Sequence, residues 1–569
     1  MVTGGQPLSP LPKNKAFMKV PSIGLYIRRH RRFFLYLAIV QLVVILSNHQ
    51  LFQEIAATPP GKINPFVHRD WPQDYYSQLA YITQGASGFW LRFTPYGTEA
   101  QTPGIFYYYF ILIGKVSALT VLVPYYAYHV ARIGSVELFV ISVYGISRVF
   151  LGSRYAFWGA LLGILGTVAP PNLLRQTIQV SWYPYGYPWW EDLDSLQRLY
   201  MPAHHLFGQA MLVVGITAFF LWIHRPKIWI LITSLISFVL ASTTFPPVLL
   251  PMAVIPPLAM GWYVLRESVR IRRIVLTYRL FLGILILSGV SLVIYLLLSY
   301  QERQGYPWNI TKPFEISRWN NEPSFNPAMP YLFGILPILA APAIVRAILV
   351  GSWSDIFIAI WAVIPYVFLP FADRLSLPKI RLVHDVPYLP FALLAVQTAV
   401  IAGKIWKKEH LTKIIFAVVL ITTTPVSLYH LYYRIQSVNY FLTQGDTRHF
   451  YISKDTYDAY LFLRNIAPKM SVVLSDFEDG NMLPGFAPVL SVIGHQADTL
   501  DFDTKRFFVV QFFKKYWSES YAKDFLKNYN VSYVFLGPLE KTYNSKEFSY
   551  SFLTPIYKNS EVTIYKVEQ

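Results

Sequence analysis

Long apolar runs constrain the fold of this chain more than any other feature. One of them, FLGILILSGVSLVIYLLL, covers residues 281–298 without a single charged side chain. A helix of about 20 apolar residues crosses the roughly 30 Å hydrocarbon core of a bilayer. Only 14% of the 569 residues are charged, whereas a soluble protein carries about a quarter. The sequence therefore predicts a polytopic α-helical membrane protein.

Basic residues at the span ends predict the orientation of the spans. Clusters of Lys and Arg at 28–32, 225–227, 266–273 and 404–408 are expected on the cytoplasmic side. The first span lacks a small-residue cleavage site and is expected to be retained. With the N-terminus inside, we expect a multi-pass plasma-membrane protein with an outer C-terminus and about eleven spans. They lie at 33–49, 127–149, 154–170, 203–223, 228–245, 246–264, 280–299, 330–350, 356–371, 389–403 and 411–431.

Two segments outside these spans are distinctive. The apolar stretch 104–123 breaks the alternation of sides, and we expect it to be re-entrant or to lie at the outer surface. Residues 436–569 are polar and alternate strand-like runs such as VSYVFLG with helical ones. That alternation predicts a small extracytoplasmic α/β domain after a membrane module of residues 1–435. In this domain we expect Asp476, His495 and Asp498 to be ordinary loop residues.

Composition and motifs exclude several classes of function. The chain has no cysteine, which excludes disulfides, thiol nucleophiles and cysteine metal sites. Its net charge of +18 is concentrated at span ends, and this placement argues against nucleic acid as a partner. The sequence has no Gly-rich phosphate loop, no G-x-S-x-G and no H-E-x-x-H motif. Nucleotide-driven chemistry and serine or zinc hydrolysis therefore have no recognisable machinery.

Three predicted outer loops bring polar residues to one face of the membrane. Ionisable groups at this depth cost free energy, so their presence indicates a functional site. The long first loop, 50–103, contributes Asp70, Asp74 and Glu99. The second, 171–202, contributes Trp190, Glu191, Asp192 and Asp194, followed by His204 and His205 at the next span. The third, 372–388, contributes Arg374, Lys379 and Arg381.

Each group also has a plainer interpretation. Asp70 can cap a helix that begins near Pro72, whereas Asp74 on that helix, expected at the membrane interface, points toward the membrane mouth. The second-loop acids fit a solvated loop as well as a site that orients a substrate or holds Mg²⁺ or Mn²⁺. The adjacent histidines lack the i, i+4 spacing of metal ligands, so no metal site is predicted from them. The third-loop cations violate the positive-inside pattern, which favours anion binding.

The order of these features resembles the GT-C superfamily of integral-membrane glycosyltransferases. The closest likeness is to the family 39 branch of protein O-mannosyltransferases and lipid A aminoarabinose transferases. Unlike the paired acids of the mannosyltransferases, Asp74 is followed by Tyr75. The residues that carry the resemblance are Asp74-Tyr75-Tyr76, Tyr81, Gly85-Ala86-Ser87-Gly88, Tyr96-Gly97-Thr98-Glu99, Thr102-Pro103, Glu191-Asp192, Pro202-Ala203-His204-His205 and the stretch 471–499.

The resemblance implies inverting transfer of a sugar from a polyprenyl-phosphate donor to a lipid, protein or glycan acceptor. It assigns Asp74 as the general base, with Asp70 in support. Arg381 is the first candidate for stabilising the phosphate leaving group, and Arg374 and Lys379 follow it. His204 or His205 would donate hydrogen bonds, and Glu191 and Asp192 would orient the acceptor or hold an ion.

Two other functions remain open from the sequence alone. A transporter or flippase of a lipid-linked glycan would carry charged residues or broken helices near the bilayer midplane and repeated halves. Here most of the acids lie in the loops, and no repeat is recognisable. A non-catalytic membrane scaffold, with binding by the outer domain, is the third possibility. Asp74 at the membrane face argues against it.

Overall fold

The computed structural model describes residues 30–68, 71–166, 195–267, 274–320, 335–383, 388–408, 410–544, 548 and 550–568. Five predicted site residues lie outside these ranges. They are Asp70, Trp190, Glu191, Asp192 and Asp194.

The described part of residues 30–444 is almost entirely helical. Its helices are α1 (Arg31–Ser47), α2 (His49–Ala56), α3 (Pro72–Ala86), α4 (Tyr108–Thr120), α5 (Pro124–Leu165), α6 (Ser195–Arg198), α7 (Ala203–His224), α8 (Ile228–Thr244), α9 (Leu249–Glu267), α10 (Ile274–Glu302), α11 (Thr311–Trp319), α12 (Leu336–Val350), α13 (Trp353–Phe368), α14 (Lys379–Val383), α15 (Tyr388–Ile405) and α16 (Leu411–Gln444).

Helices long and apolar enough to cross a membrane confirm the predicted multi-pass architecture. Within the described residues there are six, or up to seven if the pair α1 and α2, bent by 46°, counts as one span. Within the described residues each predicted span overlaps a helix, although α8 and α12 are too short to count among the six. Leu292, Val293 and Leu296 on α10 are more than half exposed. Such side chains are typical of a lipid-facing surface.

Local backbone features explain two of the predicted boundaries. The predicted spans 127–149 and 154–170 fall on α5, which is interrupted at Gly152 with φ +75°. Only glycine adopts this conformation without steric cost, so the break has a local cause. Helix α4 has 13 residues and rises about 20 Å, which is less than the roughly 30 Å hydrocarbon core. This length agrees with a segment that does not cross by itself.

The C-terminal domain contains the predicted sheet. After β1 (Lys62–Ile63) in the first outer loop, the strands are β2 (Ile452–Ser453), β3 (Val472–Leu474), β4 (Leu490–Ser491), β5 (Val531–Leu536), β6 (Leu553–Lys558) and β7 (Thr563–Val567). A five-stranded sheet has the order β4-β3-β5-β7-β6, parallel from β4 to β5 and antiparallel beyond. Its helices are α17 (Lys454–Ile466), α18 (Phe477–Met482), α19 (Phe502–Phe513), α20 (Glu519–Asn528) and α21 (Pro538–Tyr543). The predicted boundary at 435/436 falls inside α16.

The C-terminal domain packs directly on the segment 50–103, which is predicted to form the first outer loop. Strand β1 pairs with β2 in an antiparallel arrangement, and the Thr83 hydroxyl on α3 donates to the Gly485 carbonyl at 2.6 Å. Every residue of α3 from Tyr75 to Gly85 is buried. The helix that we expected at the membrane interface therefore lies between α4 and the C-terminal domain, which cover its two faces.

Candidate active site

One cavity lies where the first outer loop, the N-terminal end of α7 and the C-terminal domain meet. Its volume is about 410 Å³, which falls within the range typical of ligand pockets. The polar side chains that line it come from α3, α7, α11, α14 and the loop that follows β4. They include Asp74, His204, His205, Thr311, Glu315, Arg318, Arg381, His495, Gln496 and Asp498.

Asp74 lies in the first turn of α3 and faces this cavity. Its Oδ1 accepts a hydrogen bond from Nε2 of His495 at 2.7 Å, while 45% of its side chain remains exposed. Burial raises the pKa of Asp74, but the hydrogen bond and the charge of His495 outweigh this effect and hold the pKa below its usual value. Asp74 is therefore an ionised carboxylate, and within the described residues its Oδ2 makes no hydrogen bond.

His495 is held between two carboxylates. Its Nδ1 lies 3.4 Å from Oδ2 of Asp498, on the side opposite Asp74. Burial lowers the pKa of His495, yet the charges of Asp498 and Asp74 and the hydrogen bond to Asp74 raise it to about 10. An imidazolium that bridges two carboxylates is expected from this geometry.

A set of surrounding groups fixes Asp498. It accepts hydrogen bonds from the Tyr81 hydroxyl at 3.2 Å and the Thr311 hydroxyl at 3.3 Å. The buried guanidinium of Arg92 lies 3.8 Å away and stacks over the Tyr81 ring. Although burial raises the pKa of Asp498, His495 and Arg92 hold it well below its usual range. Asp498 is thus a fixed anion behind His495.

Arg381 and Glu315 form the charged pair on another wall of the cavity. Nε of Arg381 donates to Oε2 of Glu315 at 3.1 Å, and Nη2 contacts the other oxygen. The two side chains are only 21% and 19% exposed. Glu315 lies on α11, whose residues Thr311, Phe314, Glu315 and Arg318 line the cavity at helical spacing.

The two predicted histidines line the cavity from the first turn of α7. The ring of His204 packs edge-to-face on Tyr107, with centroids 5.1 Å apart, and on His205 at 4.3 Å. Nδ1 of His204 is buried and makes no hydrogen bond within the described part of the chain. Other aromatic lining residues are Trp71, Tyr81, Phe110 and Phe314.

Three other predicted residues are not among those that line the cavity. Arg374 is exposed. Lys379 donates from Nζ to the Asn320 carbonyl at 2.9 Å, so it satisfies the C-terminal end of α11. Glu99 pairs with Lys505 of the outer domain. Of the residues expected to bind the donor phosphate, the structure therefore brings Arg381 to the site.

His495 and Asp498, which we expected to be ordinary loop residues, line the cavity, whereas Asp476 caps α18. His495 and Asp498 follow β4, which is parallel to its neighbour β3. Ligand sites of α/β sheets lie at the carboxyl ends of such strands, so GHQAD after the apolar run VLSVI was an available indication. Glu315, Arg318 and Arg92 were also missed, because their role depends on packing rather than on local pattern.

The sequence predicts no metal site, and it leaves Mg²⁺ or Mn²⁺ at the second-loop acids as an open alternative. Within the ranges that the structure describes, no group of three or more His, Asp or Glu side chains is placed to hold a metal ion. The second-loop acids, for which Mg²⁺ or Mn²⁺ was considered, lie outside those ranges.

No family model and no curated protein matches this chain. Among solved structures, the oligosaccharyltransferase of Archaeoglobus fulgidus with a tethered acceptor peptide is 13% identical, at a TM-score of 0.48 over 89% of this chain and 69% of that one. ArnT from Cupriavidus metallidurans bound to undecaprenyl phosphate is 12% identical, at a TM-score of 0.46 over 93% and 98%. The mycobacterial arabinofuranosyltransferase AftD is 11% identical, at a TM-score of 0.45 over 93% and 40%.

All three similarities lie below 15% identity and below a TM-score of 0.5. Similarity at this level assigns neither a residue role nor an activity. The described residues carry at least six helices long and apolar enough to cross a membrane, as expected of a multi-pass membrane protein.

Proposed function

We propose that this chain is a glycosyltransferase that moves a sugar from a polyprenyl-phosphate donor to an acceptor hydroxyl at the outer face of the membrane. One observation carries the proposal. Asp74, with a carboxylate oxygen free of protein hydrogen bonds in the described structure, lines the same cavity as Arg381. This cavity lies at the N-terminal end of the candidate span α7, where a lipid-linked headgroup would emerge from the bilayer.

The proposed reaction is a single displacement at the anomeric carbon. The acceptor oxygen forms a bond to that carbon while its proton passes to Oδ2 of Asp74. The bond from the anomeric carbon to the phosphate oxygen breaks, and its electron pair leaves with the lipid phosphate. Arg381 stabilises the negative charge that develops on this leaving group. Attack from the face opposite the phosphate inverts the anomeric configuration.

The remaining lining residues supply binding rather than proton transfer. The rings of Trp71, Tyr107 and Phe110 offer apolar faces for a sugar, and His204 lines the same cavity. Glu191 and Asp192 are proposed to orient the acceptor or to hold Mg²⁺ or Mn²⁺, and Asp70 to support Asp74. The acceptor class, whether lipid, protein or glycan, stays open.

A transfer assay with purified protein tests this function. The full chain in detergent is incubated with a panel of radiolabelled polyprenyl-phosphate sugars and with crude lipid, protein and glycan acceptors. We expect label to move from at least one donor, with an anomeric configuration in the product opposite to that of the donor. A product of retained configuration would contradict the single displacement. Absence of transfer from every donor would contradict the proposed function.

A further inference from the structure

The C-terminal domain reaches into the proposed active site through one short segment. Residues 494–498, GHQAD, follow β4 and carry His495 and Asp498 to the cavity. A Cβ at Gly494 would lie 2.1 Å from the Tyr96 ring, so only glycine permits this approach to the first outer loop. The segment is therefore fixed by close packing of the two regions.

The contacts of His495 form a continuous chain that ends at Asp74. Arg92, Tyr81 and Thr311 hold Asp498, Asp498 lies against Nδ1 of His495, and Nε2 of His495 donates to Oδ1 of Asp74. His495 is 12% exposed and Asp498 is 7% exposed, so this series of contacts is largely shielded from water. Asp74 is its one member with a substantially exposed side chain.

We propose that His495 is a positioning residue, which acts through Asp74 and makes the C-terminal domain part of the catalytic apparatus. By holding Oδ1, the imidazole fixes the carboxylate plane and presents Oδ2 to the acceptor hydroxyl. Asp498 and its partners fix the imidazole in turn, as a third group orients the base in nucleophile–base pairs. The role of Asp74 in this inference rests on the proposed function, whereas the pairing of Asp74 with His495 does not.

Two isosteric variants separate positioning from a merely structural role. In His495→Gln the amide nitrogen can occupy the position of Nε2 and donate to Asp74. In His495→Asn it occupies the position of Nδ1 and can contact only Asp498. We expect His495→Gln to keep kcat within about tenfold of the wild type, and His495→Asn and His495→Ala to lose about a hundredfold. We expect the donor KM to change little, because Arg381 holds the phosphate on another wall.

The pH profile supplies a readout that a structural role would not move. Within the described residues, the charged or titratable groups that interact with Asp74 are His495, Asp498, Tyr96, Tyr128, His204 and Arg381. Loss of the hydrogen bond and charge of His495 raises the pKa of Asp74. The acid limb of the kcat profile should therefore move to higher pH in His495→Ala and His495→Asn, and less in His495→Gln, which keeps the hydrogen bond.

An infrared titration decides the pairing even for a protein that transfers no sugar. The band of the protonated Asp74 carboxyl is identified by its loss in Asp74→Asn. We expect this band to appear at higher pH in His495→Ala than in the wild type. If the band shifts in this way but the protein transfers sugar from none of the donors, the pairing of His495 with Asp74 stands and the proposed function fails. If transfer is active but His495→Asn matches the wild type and His495→Gln does not, the positioning role is overturned. An unchanged infrared titration in His495→Ala also overturns it.

Discussion

Replacing Arg381 by Gln should expose the donor phosphate to the carboxylate of Glu315. The two side chains form a forked ion pair, with Nε of Arg381 3.1 Å from Oε2 of Glu315. Both are about four-fifths buried and both line the cavity. The substitution removes the cation and leaves an unpaired anion in the wall that faces the leaving group.

The size of the effect follows from Coulomb's law. A unit charge about 5 Å from a phosphate, at an effective dielectric constant of about 20, contributes about 3 kcal/mol. That free energy corresponds to roughly two orders of magnitude in rate. We expect Arg381→Gln to lower kcat/KM by about 10² to 10³. Adding Glu315→Gln removes the uncovered anion, so the double variant should regain about tenfold over Arg381→Gln.

Initial rates of label transfer for the wild type, both single variants and the double variant measure this effect. Arg464→Gln, on the exposed surface of α17, is the matched loss of one cation outside the cavity and should stay within about twofold. A double variant no faster than Arg381→Gln would show that Glu315 does not face the phosphate. Arg381→Gln within threefold of the wild type would refute the leaving-group role.

Two further predictions concern the docked outer domain. A Cβ at Gly480 would lie 2.1 Å from the carbonyl oxygen of Ile493, two residues before His495. Gly480→Ala should therefore lower the free energy of unfolding by about 1–3 kcal/mol and displace the GHQAD segment, with loss of transfer, whereas Gly134→Ala, with open space around it, should do neither. Melting temperatures and transfer rates of both variants check this. Because the folded-state pKa of His495 is raised to about 10, its contribution to stability is complete below about pH 6.5 and is lost as the pH rises through about 10. Between about pH 6.5 and 10, the melting temperature of the wild type should therefore fall more than that of His495→Gln. Parallel plots of melting temperature against pH for the two proteins would contradict the ion pair of His495 with Asp74 and Asp498.

Hydropathy was sufficient to predict the fold because the bilayer imposes a length and an apolar composition on every span. Each predicted span overlaps a helix in the described residues. The gap between the predicted spans 127–149 and 154–170 coincides with the interruption of α5 at Gly152. The α/β character of the outer domain also followed from local pattern. The burial of α3 could not be predicted, because the sequence of α3 by itself resembles an interfacial helix. One of its faces is buried only because the C-terminal domain packs on it.

The candidate site was predicted in part, for the same physical reason. Asp74 was identifiable as an acid in the first turn of a helix beside the membrane, and His204 and His205 as polar residues at the start of a span. His495 was not, since its distance to Asp74 depends on the docking of a domain about 400 residues further along the chain. Glu315 lies on a short helix whose polar face is as consistent with water as with a cavity, and only packing against α14 decides between them.

Conversion of Asp74 to Asn tests the central claim most directly. Asn keeps the size of the side chain but cannot accept a proton, so we expect the rate of sugar transfer to fall by about a hundredfold or more. Asp503→Asn, an exposed acid on the outer domain, is the matched control and should transfer at the wild-type rate. Loss of transfer in Asp74→Asn alone, with unchanged melting temperatures, is the predicted result. Transfer at the wild-type rate by Asp74→Asn would show that Asp74 is not the base.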